Sequence, residues 1–220
     1  MNHFAKIVLC LLFVSLSARA DWRGKMTITS SGSAKPVSGK VSGKGDLLRF
    51  DLEIRGHQVS SIMNYKSEHV TILLHAQKLS VPALFDPVRF GVVCPPERLE
   101  ACLASRGFKV TGSEKVNGHP CAVYEGDLPL DGHAAHQKLW HPQDLKEVPF
   151  IRASTDTGQR TTTVNVVDVH VGALADSHFL APESYKAIPY LDPKLLPPEL
   201  GFSTGGQGAA KQPSPLPSDH

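Results

Sequence analysis

A mainly β (α+β) fold is what this sequence predicts, and three observations carry that expectation. Leu48, Phe50, Leu52 and Ile54 alternate with Arg49, Asp51, Glu53 and Arg55, the period of two that gives a strand one buried and one wet face. Turn motifs separate such runs at short spacing: Gly45-Asp46, Arg55-Gly56, Tyr65-Lys66-Ser67 and Asn117-Gly118. The links are too short for helical crossovers, so successive strands pair antiparallel.

The chain opens with Lys6, the apolar run 7–14 and Ala18-Arg19-Ala20, the three-part order of a cleavable signal peptide over 1–20. The run is shorter than the roughly 20 apolar residues of a membrane span. Cys10 lies inside the run instead of after it, which argues against lipoprotein processing. Cleavage after Ala20 removes Lys6 and Arg19, so 23 Lys+Arg become 21 against 21 Asp+Glu. A mature chain with zero net charge is not built to hold nucleic acid.

Trp22 to Ser30 alternates Lys25, Thr27 and Thr29 with Met26 and Ile28, and Ser30 to Pro36 links it to a weaker strand at Val37 to Lys44. After the strand that carries Phe50, His57 to Asn64 brings Val59, Ile62 and Met63, and Glu68 to His75 sets Val70, Ile72 and Leu74 on one face. Pro82 to Phe108 interrupts the pattern with Pro95-Pro96 and a short helix at Glu97 to Ser105. Strands resume at Phe108 to Val116 and Pro120 to Glu125, a hairpin by its Asn-Gly turn. Ala135 to His141, Pro149 to Thr155 and Thr161 to Val171 follow. In the last, Val164 and Val166 share one phase and Val167, Val169 and Val171 the other, which predicts a bulge near Val166 or a strand buried on both faces. From 189 to 220 prolines and glycines dominate, the composition of a flexible tail.

Three cysteines remain after cleavage. Cys94 and Cys102 flank a loop and helical turn whose ends can meet, and this pair is favoured; Cys102 with Cys121 is the rival. No G-x-S-x-G, H-E-x-x-H or C-x-x-C occurs, and no nucleophile with a base can be nominated, so no catalytic residue, metal or cofactor is expected. His133, His136 and His141 read as solvated surface, since His136 and His141 face opposite sides of a strand. Asp51 and Glu53, flanked by Arg49 and Arg55, read as solvated cross-strand pairs.

In this order the strands resemble the LolA/LppX-like superfamily of periplasmic lipoprotein carriers, and particularly its DUF4412-type group. Three segments carry the likeness: Gly45 to Leu74, the Gly112 to Tyr124 hairpin with Val116-Asn117-Gly118 and Cys121, and Leu139 to Phe150 followed by Asp176 to Tyr185. The resemblance implies a curved, half-open antiparallel β-barrel over 21–188 with short helices as a lid, 82–108 being the lid insertion. It further implies a non-enzymatic, monomeric periplasmic protein that carries a hydrophobic ligand, a lipid or lipoprotein acyl chain, in a cavity between sheet and lid. The alternative is a cell-envelope interaction or sensor module that binds an envelope protein and holds no ligand. Leu48, Phe50, Leu52, Ile54, Ile62, Met63, Val70, Ile72, Leu74, Val164 and Val166 are the candidate cavity lining.

Overall fold

Alternation of apolar and polar residues is realised as strands almost throughout the described part of the chain, which in this computed structural model is residues 20–33, 35–54, 56–84, 94–130 and 133–189. Most of residues 1–20 and of residues 189–220 lies outside these, as do Arg55 and the side chain of His133. The first meander comprises β1 (Trp22–Ser30), β2 (Val37–Lys44), β3 (Leu47–Ile54), β4 (His57–Asn64), β5 (His69–Leu74) and β6 (Leu79–Leu84). The second comprises β7 (Lys109–Val116), β8 (His119–Leu130), β9 (His133–Pro142), β10 (Arg152–Asp156) and β11 (Thr161–Val171). β1 pairs with β11 and fuses the two meanders into one sheet. A two-residue β12 (Lys186–Ala187) pairs parallel with β6; every other pair is antiparallel.

This order has a consequence for the connection between the meanders. β6 and β7 lie near opposite edges of the sheet, and residues 94–108 lead into β7. That segment contains a 3-10 turn, Pro96–Arg98, and the helix α1, Leu99–Ser105. Leu99 and Leu103 face inward and join one core with Leu48, Met63 and Val70 from the first meander and Tyr124, Leu128 and Leu139 from the second. One helix therefore packs on side chains from both halves of a curved, half-open sheet, which is the fold class expected.

Turns explain the register. Asn117 and Gly118 take φ of 51° and 91°, the left-handed pair that a two-residue hairpin requires. Gly126 lets Phe108 lie on the sheet: a Cβ there would sit 2.6 Å from the ring. The bulge in β11 falls at Asp168 and Val169, which together oppose Gly24, and Asp168 has φ 52°. Within it Val169 turns toward the core, which accounts for the phase switch in the sequence.

Several boundaries differ from expectation. β6 extends two residues past Pro82, so the interruption starts later than position 82; Pro82 lies past the part of the edge that β12 covers, where a missing N–H is tolerated. β8 continues to Leu130, and β10 begins only at Arg152, after a buried loop through Val148, Phe150 and Ile151.

Candidate functional site

The turn between β2 and β3, where Gly45 takes φ 54°, brings Gly43, Lys44 and Leu47 to one end of the sheet beside Trp22. Trp22 lies against the backbone of Gly43, where an added Cβ would be 2.2 Å from the indole Nε1. Opposite stand Pro96 to Ala101 of the lid, which a disulfide between Cys94 and Cys102 ties together across a Cα separation of 5.8 Å. That is the favoured pairing; Cys121 stays free and buried, and burial pushes its thiol pKa up. His141 and the loop residues Lys146 and Glu147 close the third side. Between them is a partly open cleft of about 700 Å³.

Its walls are of two kinds. Trp22, Leu47, Tyr65, Pro96 and Leu99 supply apolar surface, while Lys44, Arg98 and Lys146 face Glu97, Glu100 and Glu147 around it. Lys44 is anchored to Asp21 at 3.3 Å, Asp176 at 2.9 Å and the Leu174 carbonyl at 2.6 Å. Burial pushes the Tyr65 phenol well above its ordinary range, with Glu97 and Asp46 adding to the effect, so it stays neutral. Burial also lowers His141, against the opposing pull of the Pro149 and Val148 carbonyls. Such a cleft can bury an apolar chain against the aromatic rings and hold a polar head at its mouth.

Ten of the eleven candidate lining residues share one sheet face. Leu48 aligns with Met63 and Val70, Phe50 with Ile72, Leu52 with Leu74 through Val59, and Val164 and Val166 with Ile28 and Met26. Ile54 ends the row, half-buried. Ile62 is corrected: it aligns with Arg49 and Thr71 on the opposite face, because adjacent residues of a strand cannot both face the side that Met63 takes. There it packs with Leu73 and Phe179. None of the eleven forms the cleft wall; Leu48 has 0% exposure and Met63 and Val70 1%, packed beneath α1. The wall residues escaped the sequence reading because they come from strand ends, turns, the lid helix and a loop, which no single periodic run joins. Trp22, with glycines at 43 and 45 in the partner strand and its turn, is the one clue the sequence holds.

The outer face of the first meander is also covered. Residues 172–188 run across it as a strap containing a 3-10 turn, Asp176–Phe179, and ending in β12. Asp51 accepts hydrogen bonds from Arg49 at 2.8 Å and from Ser60, and Arg49 donates to the His178 carbonyl. Ser60 Oγ lies 2.7 Å from His75 Nε2, and Ser42 Oγ lies 2.8 Å from His178 Nε2. Asp51 and Arg49 thus form a covered network instead of solvated pairs, and Glu53 alone keeps an exposed partner, Gln58. Burial pushes the Asp51 carboxyl up, yet hydrogen bonds from Arg49 and Ser60 outweigh it and hold it below the usual range. Ser60 is 1% exposed beneath the strap, so this serine and histidine fasten the strap.

His136 is exposed beside Asp127 at 2.9 Å, whereas His141 is half-buried at the cleft, a departure from the solvated surface expected of it. Among the described residues no group of three or more His, Cys, Asp or Glu side chains is placed to hold a metal ion.

No protein-family model and no curated protein sequence matches the chain. Among solved structures it is similar to an uncharacterized conserved protein from Thermus thermophilus, at 11% identity and a TM-score of 0.53, over 78% of this chain and 91% of that one. It is more distantly similar to the lipoprotein LppX of Mycobacterium tuberculosis, at 16% identity and 0.37, over 66% and 84%. A DUF1329 family protein from Desulfovibrio piger gives 13% identity and 0.42, over 74% and 90%. The Thermus protein shows a shared fold; the other two are too distant to bear on this chain's chemistry.

Proposed function

We propose that this chain is an exported periplasmic binding protein of LolA/LppX-like, DUF4412-type character that holds the apolar part of a lipid or acyl chain between lid and sheet. The observation that carries this reading is the cleft of about 700 Å³ with aromatic and aliphatic walls and a charged rim, a size within the roughly 300–1,000 Å³ of small-molecule sites. The Cys94–Cys102 disulfide supports an oxidising compartment. In this reading residues 1–20 are the leader, 21–188 the binding domain and 189–220 a spacer. The domain works as a monomer without catalysing a reaction. Chains longer than the cleft reach Leu48, Phe50, Met63, Val70 and Ile72 by displacing Leu99 and Leu103, and those core residues then become lining. Organic-solvent extraction of protein purified from a bacterial envelope tests it: a lipid or fatty acid near one per chain is expected, and repeatedly empty extracts contradict it.

The packing of that interior favours a second reading, an envelope interaction or sensor module without a ligand. Val41, Leu48 and Leu103 have 0% exposure, which is dry core and not open cavity. Empty extracts together with a crosslinked envelope partner would select this alternative.

A further inference from the structure

The bond expected to be cut on export joins a residue of the cleft wall to its buried neighbour. Ala20 and Trp22 both line the cleft, and Asp21, which links them, lies just behind the wall. Asp21 is held in place: it is 6% exposed, its carboxylate accepts from the Leu174 N–H at 2.7 Å and pairs with Lys44, and its carbonyl accepts from the Gly172 N–H at 2.8 Å. The new terminus is therefore fixed by the fold and does not trail in solvent.

We infer that removal of the leader completes the ligand site, by placing the α-ammonium of Asp21 at the cleft wall as a receptor for the anionic head of an amphiphile, a carboxylate or a phosphate. This rests on the ligand-holding reading above and on cleavage after Ala20. Hydrolysis breaks the C–N bond between Ala20 and Asp21; water gives its hydroxyl to the Ala20 carbonyl carbon and a proton to the departing nitrogen. An α-amino group has a pKa of about 7.7–8.0, so the nitrogen takes a second proton from solvent and is largely cationic at neutral pH.

Charge counting shows why one cation matters. The three basic and three acidic residues of the cleft lining cancel, and the Asp21 carboxylate, which pairs with Lys44, adds one negative charge beside them. The ammonium brings the net charge of this set from −1 to zero. It does so beside low-polarity walls, where a charge–charge contact is stronger than in water. In the uncut chain the same nitrogen is a neutral amide. The precursor is thus a poor binder, and loading follows export.

The test uses the mature chain from Asp21 to His220 in two forms, with a free amino terminus and with Asp21 Nα-acetylated. Each is titrated calorimetrically with dodecyl phosphate and with uncharged dodecyl maltoside, below their micelle concentrations. The expected result is roughly tenfold weaker dodecyl phosphate binding after acetylation, with dodecyl maltoside binding unchanged. The unchanged maltoside arm shows that the acetylated chain is folded. Equal loss for both amphiphiles, or no loss for either, overturns the inference and leaves the ligand-holding reading standing. Failure of the free-amine form to bind either amphiphile removes both.

Discussion

His75 Nδ1 lies 2.7 Å from the hydroxyl of Tyr185, a hydrogen bond that spans 110 residues and pins the C-terminal strap to the turn after β5. The rings also meet edge to face, with centroids 5.8 Å apart. On its other side His75 meets Ser60, and through Ser60 the half-buried Asp51 and Arg49. One imidazole thus couples the strap to the central strands of the first meander.

Replacing Tyr185 with Phe keeps the ring and removes the hydroxyl. The expected cost is about 1 kcal/mol, the net value of one hydrogen bond, read from urea unfolding. Hydrogen exchange should rise first in 172–188 and leave β3 and β4 protected. Uniform loss of protection would show that the strap is not a separable element.

The strap makes stability depend on pH in a defined direction. Burial first, and then Arg49, lower His75 and His178 from their ordinary value of 6.5, while Asp51 opposes the shift. Below 6.5 the unfolded chain therefore binds more protons than the folded one, and stability falls with falling pH. It is full above 6.5, declines as the pH drops from there toward the lowered folded values, and levels off beneath them. Urea midpoints should fall between pH 7.5 and 5.5, and His178→Gln should flatten that slope. A wild-type midpoint constant across this range contradicts the assignment.

Gly43→Ala should cost about 1–3 kcal/mol, the range for forced overpacking, since its Cβ would lie 2.2 Å from the Trp22 indole nitrogen. Displacing that ring should also weaken amphiphile binding, because Trp22 lines the cleft. Gly112→Ala, where an added Cβ meets nothing within 4 Å, is the matched control and should leave binding intact.

Cutting the lid's covalent tie with Cys94→Ser and Cys102→Ser releases a short loop, with a sequence separation of 8. Loop-closure entropy gives a loss of about 2.5 kcal/mol, seen as a lower urea midpoint. Amphiphile association should speed up, since α1 must move for long chains to enter. Unchanged association kinetics would mean that the lid does not gate entry.

What the sequence revealed follows physical lines. β3 and β5 were legible because Phe50 and Ile72 belong to strict period-two runs with one buried face. Ile62 was misplaced because Val59, Ile62 and Met63 break that period, and only the strand pairing assigns each to a face. β6 was hidden by Pro82, which reads as a breaker until its uncovered edge position is known. The strap carries few apolar residues and docks through His75, His178 and Arg49 across more than a hundred positions, which no local pattern records. The cleft was illegible for a related reason: Trp22, Tyr65, Pro96 and Lys146 converge from different parts of the chain.

Of the two tryptophans in the chain, Trp22 lines the cleft and Trp140 does not. The most direct measurement is therefore a fluorescence titration of the mature Trp140→Phe chain with dodecyl phosphate below its micelle concentration. A saturable change in Trp22 emission at one equivalent is predicted. Trp22 emission that stays constant in a chain shown to be folded would contradict the claim that this cleft holds an apolar ligand.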